Sequence, residues 1–360
     1  MSTTLANALS TPLQPWLLQP LNALLAQKNV PQTLAVCDNF HTGGLNFGLH
    51  LAKILLCENK NSARLACGHC GGCTLFKANT HSDLFYLLPE SLKPPVDEEP
   101  SDAGGGGVSF KKTSKAETAK KETKLSKVIK VDQIRAIEGL LRLSSQRGIA
   151  KVILIYPAET LNEVAGSTLL KILEEPPSDT YFILVSNAWG QVLPTLRSRC
   201  VPVVLGKVSD SQTLQYLQDA QVPNAQQWLN LANGNPDQAR EMGLDPQWQT
   251  LLESTQFLLQ GGRMDAIAAA AEFAKADISR VHAWLSAWLL DLSAVEQRGA
   301  PHYGLASVSA LQTLAFNMDA DRAQQLSQDL QSLARRLDHP LQAKLVCEAL
   351  ALQYVGLFEK

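Results

Sequence analysis

Five short runs of apolar and β-branched residues, all ahead of residue 207, constrain the fold of this 360-residue chain more than any other feature. They occupy residues 33–38 (TLAVCD), 83–88 (DLFYLL), 151–156 (KVILIY), 181–186 (YFILVS) and 201–206 (VPVVLG). Continuous apolar runs of this kind suit strands covered on both faces. Helical patterns separate them at residues 45–56, 131–143 and 162–175. In the last, Ala165, Leu169, Ile172 and Leu173 share a face, and Pro176-Pro177 stops the helix because the residue before a proline resists the α region. Strands alternating with helices predict an α/β class with a parallel sheet. From residue 210 the periodicity is helical throughout, broken at residues 234–236, 243–246, 261–262, 299–301 and 339–340. The reading is an α/β domain over residues 1–207, a small helical domain over 208–245 and a larger helical bundle over 246–360.

Charge limits what such a chain does. A formal charge of −2 and a pI near 6.4 argue against a protein that grips nucleic acid by its own net charge. No run of about 18 apolar residues is present, and the first twenty residues carry no Lys or Arg, so neither a membrane span nor a signal peptide is expected and the chain reads as cytoplasmic. Residues 93–127 depart from the rest, acidic and glycine-rich first (PPVDEEPSDAGGGG) and lysine-rich after. Such a composition buries too little to offset its ordering entropy, so a disordered surface insertion is expected.

Cys57, Cys67, Cys70 and Cys73 form a C-x9-C-x2-C-x2-C cluster with glycines in both short spacers. In a cytosolic chain this reads as a metal site rather than a disulfide framework. Four thiolates suit Zn²⁺, and Gly68, Gly71 and Gly72 allow tight turns around the sulfurs. An iron–sulfur cluster is the alternative that the same four ligands permit. A site closed by four cysteines leaves no position for water or substrate, so the expected role is structural. His69 between the ligands reads as a solvated spacer, and Cys37, Cys200 and Cys347 as ordinary buried thiols.

Between the first run and the first helix, where a nucleotide-binding domain places its phosphate loop, the chain has CDNFHTGGLNFGLHLA. A working loop needs backbone amides, a lysine for the β and γ oxygens and a hydroxyl for Mg²⁺. Here Gly43 and Gly44 are followed by Leu45 and Asn46. The acidic pair expected after residue 156 is replaced by Pro157-Ala158-Glu159.

Several segments together resemble the AAA+ clamp-loader subunits of bacterial DNA polymerase III. They are PWLLQPLNALL (15–25), CGHCGGC (67–73) with THSDLFYL (80–87), IKVDQIRAIEGLL (129–141), LLKILEEPP (169–177), FILVSN (182–187) and LPTLRSRC (193–200). The insertion has no counterpart in that pattern. The resemblance implies a RecA-like AAA+ domain holding a structural Zn²⁺ module, then a helical lid and a C-terminal collar that joins subunits into a ring. Three departures from the ATPase members point to a non-hydrolysing member that binds no ATP: no lysine beside Gly44, no acidic pair after Tyr156, and Asp237 where an active lid offers an arginine. In this family the arginine of SRC, here Arg199, is a finger supplied in trans to a neighbour's ATP; Arg197 is its competitor. The implied partners are the gamma/tau ATPase subunits and the delta subunit, with the sliding clamp and primer-template DNA met through the complex and no membrane. The chain would then be a catalytically inactive part of the DNA-directed DNA polymerase III holoenzyme. Two other readings predict different behaviour: a divergent AAA+ ATPase would bind ATP alone, and a stand-alone zinc-dependent DNA-binding protein would show salt-sensitive DNA affinity without partners.

Overall fold

A computed structural model of the chain describes residue 9 and residues 11–92, 126–141, 143–337 and 342–358. The chain divides into two compact units, Met1–Val208 and Ser209–Lys360. Most of the insertion at residues 93–127 lies outside the described residues.

All five runs are strands, namely β1 (Thr33–Cys37), β2 (Leu84–Leu87), β3 (Lys151–Ile155), β4 (Thr180–Ser186) and β5 (Val201–Val204). They form one parallel sheet in the order β2-β3-β4-β1-β5. Successive side chains of a strand point to opposite faces, so each strand feeds two cores. Leu34 and Val36 of β1 join a layer with Leu21 of α1 (Leu18–Leu25) and Phe47 and Leu51 of α2 (Gly44–Leu55). Ala35 and Cys37 join the opposite layer, with Ile134 of α4 (Val131–Leu141) and Leu169 of α5 (Glu163–Glu174). Burial on both faces is why these strands read as unbroken apolar runs, and the α/β expectation is borne out. The short helices α3 (Gly71–Lys77) and α6 (Pro194–Arg197) complete the unit. Strand β5 closes one edge of the sheet, with Val201, Pro202 and Val204 exposed.

The chain at the two ends of the insertion is hydrogen-bonded together. Ser91 N donates to Ser126 O at 3.1 Å, Ser126 N donates to Glu90 Oε2 at 3.1 Å, and Lys130 pairs with Glu90 at 2.8 Å. Deleting residues 94–124 is therefore expected to leave the fold intact, because a doubling of loop length changes closure entropy by only about 0.6 kcal/mol. Thermal denaturation checks this, and a large fall in the midpoint would show that the segment is packed.

The second unit is helical among its described residues: α7 (Asp210–Asp219), α8 (Ala225–Leu231), α9 (Pro236–Leu244), α10 (Pro246–Leu258), α11 (Ala266–Phe273), α12 (Ile278–Glu296), α13 (Val308–Asn317), α14 (Ala320–Ala334) and α15 (Ala343–Gly356). Side chains of Ser209, Asn235, Asp245, Asp265, Asp277, Ser307 and Asp319 cap helix starts by accepting otherwise orphaned amides. Buried Asp291 of α12 accepts from the amides of His302, Tyr303 and Gly304 at 2.7 to 2.8 Å, which fixes the loop after the break at residues 299–301. Tyr354 accepts from Trp288 Nε1 at 3.0 Å and donates to Leu258 O at 2.7 Å, tying three helices together inside the core.

Candidate functional sites

The loop after β1 sits at the carboxyl ends of β1 and β4, where open parallel sheets bind ligands. It keeps the backbone of an anion site, since the amides of Thr42, Gly43 and Gly44 converge ahead of α2. They converge on Asp38. Its Oδ1 accepts from Thr42 N at 2.7 Å and Thr42 Oγ1 at 2.9 Å, and its Oδ2 from Gly43 N at 3.0 Å and Gly44 N at 2.7 Å. Asp38 is only 1% exposed. Two glycines are needed here for different reasons. Gly43 lies at φ +113°, in the left-handed region, and a Cβ on Gly44 would stand 2.7 Å from the Asp38 Cβ.

The residues after Gly44 make contacts of their own. Leu45, in the lysine position, is buried in the apolar layer of α1 and α2. Asn46, in the hydroxyl position, donates its Nδ2 to Thr11 O at 3.1 Å. Beyond β3, Glu159 Oε1 accepts from Asn187 N at 3.3 Å. Asp237 lies in the first turn of α9. Leu45→Lys is expected to restore no ATP hydrolysis and to lower the thermal midpoint, because the substitution puts a charge in an apolar layer.

The four cysteines meet. Their sulfurs all lie within 4.8 Å of one another, with Cys57 Sγ 3.7 Å from Cys67 Sγ and 3.9 Å from Cys70 Sγ. The amides of Cys67, Cys70 and Cys73 donate to the sulfurs of Cys57, Cys67 and Cys70 at 3.3, 3.3 and 3.4 Å, an arrangement that would also stabilise ligand thiolates. Helix α3 starts at Gly71 with Cys70 as its cap, so Cys73 lies in its first turn. Of the spacer glycines, Gly68 takes φ +83°, whereas Gly72 is required by space, since its Cβ would lie 2.6 Å from Leu56 O. His69 is exposed, faces the Cys67 carbonyl at 2.9 Å and stands outside the cluster.

Two arginines stitch this module to the body of its unit. Arg64 donates to Leu25 O at 2.9 Å and Gln27 O at 3.1 Å. Arg147 Nε donates to Glu58 Oε1 at 2.7 Å, and the same oxygen accepts Gly72 N at 3.1 Å. The Arg147 guanidinium holds the Glu58 carboxyl below its usual range. The remaining thiols, Cys37, Cys200 and Cys347, are buried. Burial pushes Cys37 and Cys347 up to about 11 and Cys200 up to about 12, so none is a thiolate near neutrality.

Arg199 lies between α6 and β5, its side chain 47% exposed and one guanidinium nitrogen 3.2 Å from Glu174 Oε1. The two motifs LEEPP and SRC thus touch. Thr33 Oγ1 donates to the Arg199 carbonyl at 3.0 Å, which sets Arg199 at the amino end of β1. Gly43 and Gly44 lie beyond its carboxyl end. At about 3.3 Å per residue the strand separates them by roughly 13 Å, more than an arginine side chain spans. Arg197 is exposed at the end of α6.

Asp38 is the residue that motif reading passes over. An acidic residue closing a strand and followed within six positions by Thr-Gly-Gly is the local signal that finds it.

Fold and sites together define an α/β protein with a five-stranded parallel sheet, a loop after β1 whose amides bind Asp38, and a four-cysteine cluster. The chain belongs to the family described as DNA polymerase III, delta subunit, which matches residues 13–209, and within it to the delta prime type of the clamp loader. It is 31% identical over 218 residues to DNA polymerase III subunit delta' of Pseudomonas aeruginosa, covering 59% of this chain and 56% of that protein. To the subunit delta' of Escherichia coli K12 it is 29% identical over 269 residues, covering 72% and 67%. The matched stretch spans little more than half the length of the first of these relatives. Among solved structures, a DNA polymerase III gamma subunit-related protein of Thermotoga maritima aligns over 96% of this chain and all of that one at 14% identity, with a TM-score of 0.48.

Proposed function

We propose that this chain is a non-hydrolysing subunit of the clamp loader that helps place the sliding clamp on primed DNA, giving Arg199 in trans to ATP held by a neighbouring ATPase subunit. The observation that carries this reading is the separation of Arg199 from its own phosphate loop: a half-exposed guanidinium at the amino end of β1 has no phosphate of its own chain to serve. A guanidinium fork neutralises charge developing on a transferred phosphoryl group. The reading assigns the segment 208–245 the part of a lid and 246–360 that of a collar. The gamma/tau and delta subunits are its partners, DNA is met through the complex, and the compartment is the cytoplasm. Among the described residues no helix is long and apolar enough to cross a membrane.

The four cysteines hold a structural Zn²⁺ in this reading. A tetrahedral ion with Zn–S near 2.3 Å sets sulfurs about 3.8 Å apart, which the 3.7 and 3.9 Å pairs match. A multinuclear cluster would spread its ligands farther, because several metal atoms lie between them. The isolated chain is expected to bind no ATP at physiological concentration and to co-purify with the ATPase and delta subunits when these are co-expressed. Calorimetry on the wild-type chain tests the first expectation, and a micromolar ATP affinity would replace this reading with that of a divergent ATPase.

A further inference from the structure

We infer that Asp38 is the resident anion of the phosphate loop, an internal contact that shuts the loop to phosphate independently of the missing lysine. The inference deepens the reading of a closed site and rests on it. Backbone amides are what cradle phosphate oxygens in loops of this kind. Here three of them and a hydroxyl are spent on one carboxylate, with both of its oxygens engaged at 2.7 to 3.0 Å. The glycine that would let a phosphate approach the backbone lets Asp38 approach instead, as the 2.7 Å spacing between its carboxylate-bearing carbon and a Cβ on Gly44 records. The loop is also held from its other side. Trp16 Nε1 donates to Thr42 O at 2.7 Å, and a Cβ on Gly43 would come within 2.8 Å of Gln14 Oε1. An incoming phosphate would have to displace a buried carboxylate that competes for the same donors and repels it by charge.

The test uses the full chain as wild type, Asp38→Ala and Asp38→Asn, with inorganic pyrophosphate as probe and sodium chloride at matched ionic strength as control. Amide shifts of Thr42, Gly43 and Gly44 and the thermal midpoint are read. The wild type is expected not to respond. Asp38→Ala is expected to gain at least about tenfold in pyrophosphate affinity, on the scale of one hydrogen bond to a charged group, and to recover part of its lost midpoint with pyrophosphate but not chloride, since a ligand of the folded state stabilises it. Asp38→Asn replaces one acceptor oxygen by a donor, so the amides on that oxygen's side are expected to exchange faster with solvent; this readout serves should the alanine variant fail to fold. A folded Asp38→Ala chain with no pyrophosphate response, or an Asn variant with unchanged exchange at all three amides, overturns the inference. Wild-type binding of pyrophosphate would instead sink the closed-site reading itself, whereas silence in both wild type and Asp38→Ala leaves that reading standing and removes only the role given to Asp38.

Discussion

Arg199→Ala is expected to leave the chain folded and able to assemble while lowering the ATP turnover of the reconstituted loader. The folded state loses little, because the Arg199–Glu174 pair is a single contact between side chains that are 47% and 45% exposed, and exposed pairs are worth about 0 to 1 kcal/mol. In the proposed role the guanidinium would leave Glu174 for a phosphate on another subunit, which so exposed a pair would permit. Arginine fingers supply roughly 10³ to 10⁵ in rate at one site. A ring with several ATPase sites would lose only the one facing this subunit, so the steady-state loss is smaller than the single-site figure. Arg199→Lys is expected to rescue incompletely, since an ammonium is a point charge without the planar fork. Arg197→Ala is the control. DNA-stimulated ATPase that survives Arg199→Ala but is lost with Arg197→Ala would transfer the role to Arg197.

The second large effect concerns the cysteine cluster. One zinc per chain is expected by elemental analysis, and serine at Cys57, Cys67, Cys70 or Cys73 is expected to unfold the module locally. Structural zinc in peptides is worth about 10 to 16 kcal/mol of apparent binding energy, far more than the contacts that would remain. Those contacts are the Arg64 bonds to Leu25 and Gln27 and the Glu58–Arg147 pair. Hydrogen exchange on a serine variant should accordingly show loss of protection at Cys67, Cys70, Gly72 and Cys73 with the sheet unaffected. A preparation free of zinc, or one holding iron with a visible absorption band, would refute the assignment.

Local pattern carried most of the first unit. The five apolar runs became strands because strands covered on both faces have no polar side to interrupt them, and Pro176-Pro177 stops α5 at Glu174 as proline sterics require. The cysteine spacing brought its four sulfurs together because ligands so close in sequence need only one turn and one helix start. What stayed hidden depends on distance along the chain. Glu58 and Arg147 are 89 residues apart, and Thr33 and Arg199 are 166 apart, so no local period announces either contact. The missing lysine beside Gly44 was legible in the loop after β1. That its amides are already taken was not, because the occupant is an acidic residue that reads locally as the end of a strand.

The outer strand of the sheet bears on how its edge would meet another extended segment. An open strand edge offers unpaired amides and carbonyls to any other extended segment, and apolar side chains such as exposed Val201 and Val204 would reward such a meeting. Pro202 sits between them on β5 and has no N–H to give. A foreign strand laid along this edge would lack a donor in the middle of its ladder, so one imino acid weakens edge-to-edge pairing at β5.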